Sequence, residues 1–61
     1  MEVGDEVTVF SLSDRATRFV IGKGVIDEIV PTIKGYDGPV ACIRIPGMSG
    51  RWLRSENDLV N

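Results

Sequence analysis

Histidine is absent from this 61-residue chain, and cysteine occurs once, at Cys42. Without histidine, the side chain that most often serves as a general base near neutral pH is missing. A lone cysteine cannot form an intramolecular disulfide. One cysteine and no histidine also leave no ligand set for a structural zinc site. No stretch approaches the ~18 consecutive apolar residues of a membrane span. The opening Met1-Glu2-Val3-Gly4-Asp5-Glu6 is acidic and lacks an apolar run, so no targeting signature is read there. Cationic excess is missing too: seven Lys and Arg face nine Asp and Glu, giving a formal charge of −2. That balance disfavours a bulk nucleic-acid coat, because such binders are usually basic. The expectations are no cofactor, no metal, no membrane and a cytoplasmic location.

What is present is turn punctuation between short β-type runs. Seven Gly and three Pro divide the chain. Apolar residues alternate or cluster as β-branched types, as in Gly24-Val25-Ile26-Asp27-Glu28-Ile29-Val30 and Pro39-Val40-Ala41-Cys42-Ile43-Arg44-Ile45. No window carries a trustworthy helical stripe. The reading is all-β, with strands over 4–9, 23–30, 39–45, 50–54 and 58–61 and a long loop over 11–21. Ser55-Glu56-Asn57-Asp58 has the Ser-x-x-Asp form of a helix start, and the few residues after it allow one 3₁₀ turn. Five short strands in one chain predict a single bent sheet curled into a small barrel, which hides most strand edges. A domain of this size buries only roughly 60% of the surface of its unfolded chain. Self-association or a larger partner is therefore the expected extra stabiliser.

Catalytic chemistry has few candidates. Cys42 sits mid-strand in an apolar run with no base to raise its thiolate fraction, so it reads as a buried, inert thiol. Asp27 and Glu28 are neighbours, and on a regular strand they point to opposite faces. Charge order is more informative. Residues 15–23 hold Arg15, Arg18 and Lys23 with no acid, and residues 44–54 hold Arg44, Arg51 and Arg54 with no acid. If 39–45 and 50–54 form a hairpin with Leu53 inward, Ala41, Ile43 and Ile45 join it in the core. Trp52 and Arg54 then lie outside beside Arg44. A Trp between Arg side chains is a plausible contact surface, since Trp and Arg dominate binding hot spots. It is equally a self-contained cation–π stack. The loop 11–21 adds Arg15, Arg18 and Phe19 as further candidate contacts.

Three segments carry a resemblance. Val3-Gly4-Asp5-Glu6-Val7-Thr8-Val9 resembles the hydrophobic-Gly-Asp-x-Val-x-Val opening of many small bacterial barrels. Gly24-Val25-Ile26-Asp27-Glu28-Ile29 resembles the glycine-then-strand core of the KOW motif. Arg51-Trp52-Leu53 with Glu56-Asn57-Asp58-Leu59-Val60 resembles a closing strand, a 3₁₀ turn and a final strand. Together they resemble the SH3-like barrel, a superfamily that includes KOW and Tudor-like modules. The resemblance implies one five-stranded domain over residues 1–61, with the 3₁₀ turn before the last strand.

The fold hosts many functions, and three are expected in order. The first is a non-catalytic interaction or accessory module that binds a protein partner through Arg44, Trp52, Arg54, Arg15, Arg18 and Phe19. The second is a nucleic-acid-associated KOW or Tudor-like module using the same Arg blocks. The third is a subunit of an oligomeric reductase of the type II dihydrofolate reductase kind. That group's Val-Gln-Ile-Tyr strand has no counterpart in this sequence.

Overall fold

The computed structural model describes residues 1–11 and 19–59. Four strands, β1 (Glu6–Phe10), β2 (Val20–Val30), β3 (Val40–Arg44) and β4 (Trp52–Ser55), are followed by a 3₁₀ turn over Glu56–Asp58. They form one antiparallel sheet in the order β1-β2-β3-β4. Among the described residues there is no α-helix, and none is long and apolar enough to cross a membrane. The expected all-β class and the single 3₁₀ turn are therefore observed. The sheet is a curled half-barrel of four strands. The expected fifth strand at 58–61 is not seen: Leu59 follows the turn outside any strand, and residues 60 and 61 lie outside the described set.

The curl follows from where glycine falls. Val7 pairs across from Gly24 and Val9 from Gly22, so both glycines point to the face that buries Val7 and Val9. A methyl group on Gly24 would collide with the carbonyl oxygen of Arg44 and come within 2.8 Å of Ile43 Cγ2. At Gly22 the nearest atom would be Ile45 Cγ2 at 3.3 Å. The end of β3 and the residue after it thus lie directly over β2 where β2 has no side chains. Strand glycines mark such close approaches of two backbones. The core collects on this inner face from Val7, Val9, Ile26, Ala41, Ile43, Ile45 and Leu59.

Two irregularities in β2 bend it further. One lies between Val9 and Phe10, where Val9 faces Gly22 but Phe10 faces Val20. The other lies at Asp27, between the pairs Ile26–Ile43 and Glu28–Cys42. An extra residue in one strand increases local twist and re-aims the side chains around it. Strand β2 begins at Val20, so the 11–21 segment expected as loop gives up its last two residues to the sheet.

The β3–β4 register differs from expectation. Cys42 pairs with Leu53, Ile43 with Trp52 and Ala41 with Arg54. Directly opposed residues share a face, so Trp52 and Arg54 lie on the inner face with Ile43 and Ala41. Leu53 is on the outer face, half-buried, and Trp52 packs against the core instead. The register is one residue away from the expected one, which inverts every side chain of β4. The reason is that β3 is covered on both faces: Val40 and Cys42 outside are as buried as Ala41 and Ile43 inside. Its apolar pattern therefore marks no single inward side, and the larger Trp52 ring, not Leu53, fills the inner position. Cys42 is a buried free thiol.

Candidate functional site

Three groupings of side chains emerge. The first ties the two outer strands of the sheet together. Arg54 is 7% exposed. Its Nε and Nη2 donate to the carbonyl oxygen of Phe10 at 3.2 and 3.1 Å, and its Nη1 donates to the carbonyl oxygen of Leu53 at 2.8 Å. Phe10 belongs to β1 and Arg54 to β4, the two ends of the strand order. The guanidinium carbon stands 5.4 Å from the centre of the Trp52 ring, within range of a cation–π contact. Of the two alternatives for Trp beside Arg, the self-contained stack is the arrangement present. Arg54 is thus committed to the interior and corrects the expectation of an outward Arg54.

The second grouping lies on the outer face, around the extra residue of β2. Arg44 Nε donates to Asp27 Oδ2 at 2.8 Å, and Arg51 Nη1 donates to Asp27 Oδ1 at 3.3 Å and Glu28 Oε1 at 3.0 Å. Asp27 and Glu28 were expected on opposite faces. The extra residue at Asp27 breaks the alternation, and one guanidinium reaches both carboxylates. Desolvation acts to raise the Asp27 pKa. Hydrogen bonds from Arg44 and Arg51, with their charges, outweigh it and hold the carboxyl below its ordinary value. The hydrogen bonds that Arg51 donates to Glu28 and then to Asp27 raise its own pKa in turn. Two cations and two anions largely cancel, so this cluster is not an exposed cationic patch.

The candidate surface of Arg44, Trp52 and Arg54 is accordingly divided. Arg44 faces out, with its side chain 67% exposed and bound to Asp27. Trp52 and Arg54 face in. Phe19 is 64% exposed, just before β2. Arg15 and Arg18 lie outside the described residues.

The third grouping was not read from the sequence. A cleft of ≈460 Å³ is lined by Gly35, Tyr36, Asp37, Arg54, Ser55 and Asp58. It lies between the 35–37 turn and the junction of β4 with the 3₁₀ turn. Gly35 has φ +91°, a backbone geometry that favours glycine and lets the chain turn tightly ahead of Tyr36. The backbone N–H of Tyr36 closes that turn on the carbonyl of Ile33 at 3.0 Å. The N–H of Glu56 donates to Pro39 O at 3.0 Å, tying the 3₁₀ turn to the start of β3. The Ser-x-x-Asp signal did mark this place, but only as a turn.

In the structure Ser55 occupies the cap position, yet its hydroxyl makes no capping hydrogen bond. Tyr36, Asp37, Ser55 and Asp58 have no side-chain hydrogen bond or ion pair among the described residues. A volume of a few hundred cubic ångströms with an aromatic wall and a few polar groups suits a small group or one side chain. Groups of three or more metal-ligating side chains are absent among the described residues. Comparison of the chain with protein-family models, with curated proteins and with solved structures finds no match.

Proposed function

We propose that this chain is a small, non-catalytic interaction module that binds a protein partner, and that the 35–37/55–58 cleft is its contact site. The observation that carries the reading is the cleft itself, with four side chains that have no partner among the described residues. The curled four-stranded sheet followed by a 3₁₀ turn also supports assignment to the SH3-like barrels. The Arg/Trp surface first expected on β3 and β4 gives way to the cleft, because Trp52 and Arg54 are spent on the core and on β1. The absence of histidine favours binding over catalysis.

The test compares capture by immobilised protein and by its Tyr36→Ala variant. Tyr36 is 40% exposed, so its removal leaves the core intact. The expected outcome is a partner retained by the natural protein and by Arg44→Ala, and lost with Tyr36→Ala. A partner set identical for all three proteins would move the contact site elsewhere.

A further inference from the structure

We infer that the outer face of β1 and β2 is the docking surface for a second copy of this chain. Strand alternation fixes which residues stand there. Val7, Val9, Gly22, Gly24 and Ile26 point to the core, so Glu6, Thr8, Lys23 and Val25 point away from it. Ile21 packs against the core, which turns Val20 outward beside it. Val20 is 56% exposed and Val25 42%, whereas Val40 and Cys42 on the same side of β3 are buried. The outer face is therefore covered over β3 and open over β1 and β2. Apolar groups framed by polar ones are the ordinary make-up of a contact surface.

The charges identify the occupant. Apart from the Asp27 cluster, the open part carries one acid, Glu6, and one base, Lys23. Neither has a side-chain hydrogen bond or ion pair among the described residues. Glu6 stands across from Val25, and Thr8 across from Lys23. The four side chains thus form a rectangle with acid and base at opposite corners.

Half a turn about an axis lying along the other diagonal, from Val25 to Thr8, exchanges the two charged corners. A second copy placed by that rotation sets its Lys23 over Glu6 and its Glu6 over Lys23. Val25 then meets Val25 of the copy. The surface is complementary to itself, which is what a two-fold dimer requires. Arg44 lies across from Val25 and is bound to Asp27, so its charge is already matched. One acid and one base together draw neither a strongly acidic nor a strongly basic partner. None of these residues lines the cleft, so this surface stands or falls apart from the reading above.

The sheet curls toward its core, so its outer face is convex and the contact is small. The dimer is accordingly weak, with a dissociation constant on the order of 0.1–1 mM. The experiment follows the ¹⁵N-correlation spectrum of the whole chain from roughly 20 μM to 2 mM, a range that spans such an affinity. Sedimentation equilibrium gives the mass over the same range. The mass should rise toward that of a dimer, with shift changes centred on residues 6, 8, 23 and 25. Added salt should weaken the association, because exposed charges are screened.

Glu6→Lys and Lys23→Glu should each weaken association on the order of tenfold, since each sets like charges face to face. The double variant carrying both changes only exchanges the two corners, so it should recover most of the loss. Each variant is first checked for an unchanged dispersed spectrum at the lowest concentration. A chain that stays monomeric over the whole range leaves the face to another protein and overturns the inference. Shift changes centred on another surface would overturn it too, as would a double variant no better than the single ones.

Discussion

Arg54 is the side chain whose role departs furthest from its type. Arginine in a short acidic protein is ordinarily a surface charge, and an exposed one contributes little to stability. Here its donors bond backbone carbonyls of two strands, Phe10 of β1 and Leu53 of β4, and its removal deletes those bonds. Hydrogen bonds to charged groups are worth about 1.5–3 kcal/mol. Arg54→Ala should therefore destabilise the protein by about 2–3 kcal/mol in a denaturant titration. Arg54→Lys should recover only part of that, because an ammonium has no planar fork. Arg44→Ala is the control, with an expected change of about 0.5 kcal/mol or less for a largely exposed ion pair. Equal effects at the two arginines would mean that the tie to Phe10 contributes nothing. Sequence pattern alone could not tell Arg44 from Arg54: both flank apolar strand residues, and only the pairing offset decides which one turns inward.

At the scale of the strand, β2 carries the shape of the fold. Gly24→Ala places a methyl against backbone at Arg44, which cannot yield, whereas Gly22→Ala meets only the side chain of Ile45. Overpacking of this kind typically costs about 1–3 kcal/mol. Gly24→Ala should fall at or above the top of that range and Gly22→Ala near the bottom. Thermal melts of the two variants decide it, and a reversed order would contradict the close approach of β3 to Gly24.

The extra residue at Asp27 makes a pH prediction. The folded carboxyl titrates below its unfolded value, so its contribution to stability is complete above the ordinary aspartate pKa of about 3.9. That contribution is lost as the pH falls through this value toward the lower folded one. The stability advantage of the natural protein over Asp27→Asn, read from urea midpoints, should shrink on going from pH 7 to strongly acid solution. A difference independent of pH would remove the Arg44 and Arg51 bonds from the account.

These elements also show what was legible beforehand. Strand-forming residues and turn glycines located β1 to β4 and the 3₁₀ turn to within a few residues. The inward side of β3, with Ala41, Ile43 and the following Ile45, was legible. The extra residue at Asp27, however, put Asp27 and Glu28 within reach of one guanidinium, and the faces of β4 came out inverted. The β3–β4 register depends on the geometry of the intervening turn, with Gly47 and Gly50 both at positive φ, and no alternation pattern encodes it. The cleft escaped notice because its lining comes from two turns far apart in sequence.

For the whole molecule, charge separates the protein-binding reading from the nucleic-acid one. Arg44 and Arg51 neutralise Asp27 and Glu28, and Arg54 is internal, so the β3–β4 Arg block presents little unpaired charge. Each phosphate contact that releases a counterion steepens the salt dependence of binding. Titration with mixed RNA and DNA between 50 and 200 mM salt, roughly the range over which such contacts are lost, should show only weak retention at the lower end. Tight binding that falls steeply across that range would return the KOW or Tudor-like reading to first place. The radius of gyration, 10.9 Å, is close to the ~10.5 Å that size scaling gives for a chain of this length.

The tie between Arg54 and Phe10 bears on how the protein comes apart. A ladder of backbone hydrogen bonds opens like a zipper, one rung at a time, and can fray at its end while the rest holds. The seam between β1 and β4 instead behaves as a latch, because one guanidinium grips one β1 carbonyl through two donors. Release of that grip is a single event, and it frees the core-facing side of Trp52 and the end of β1 together. Opening of this seam should therefore be all-or-none, while the backbone ladders of β1 to β2 and of β4 to β3 still hold.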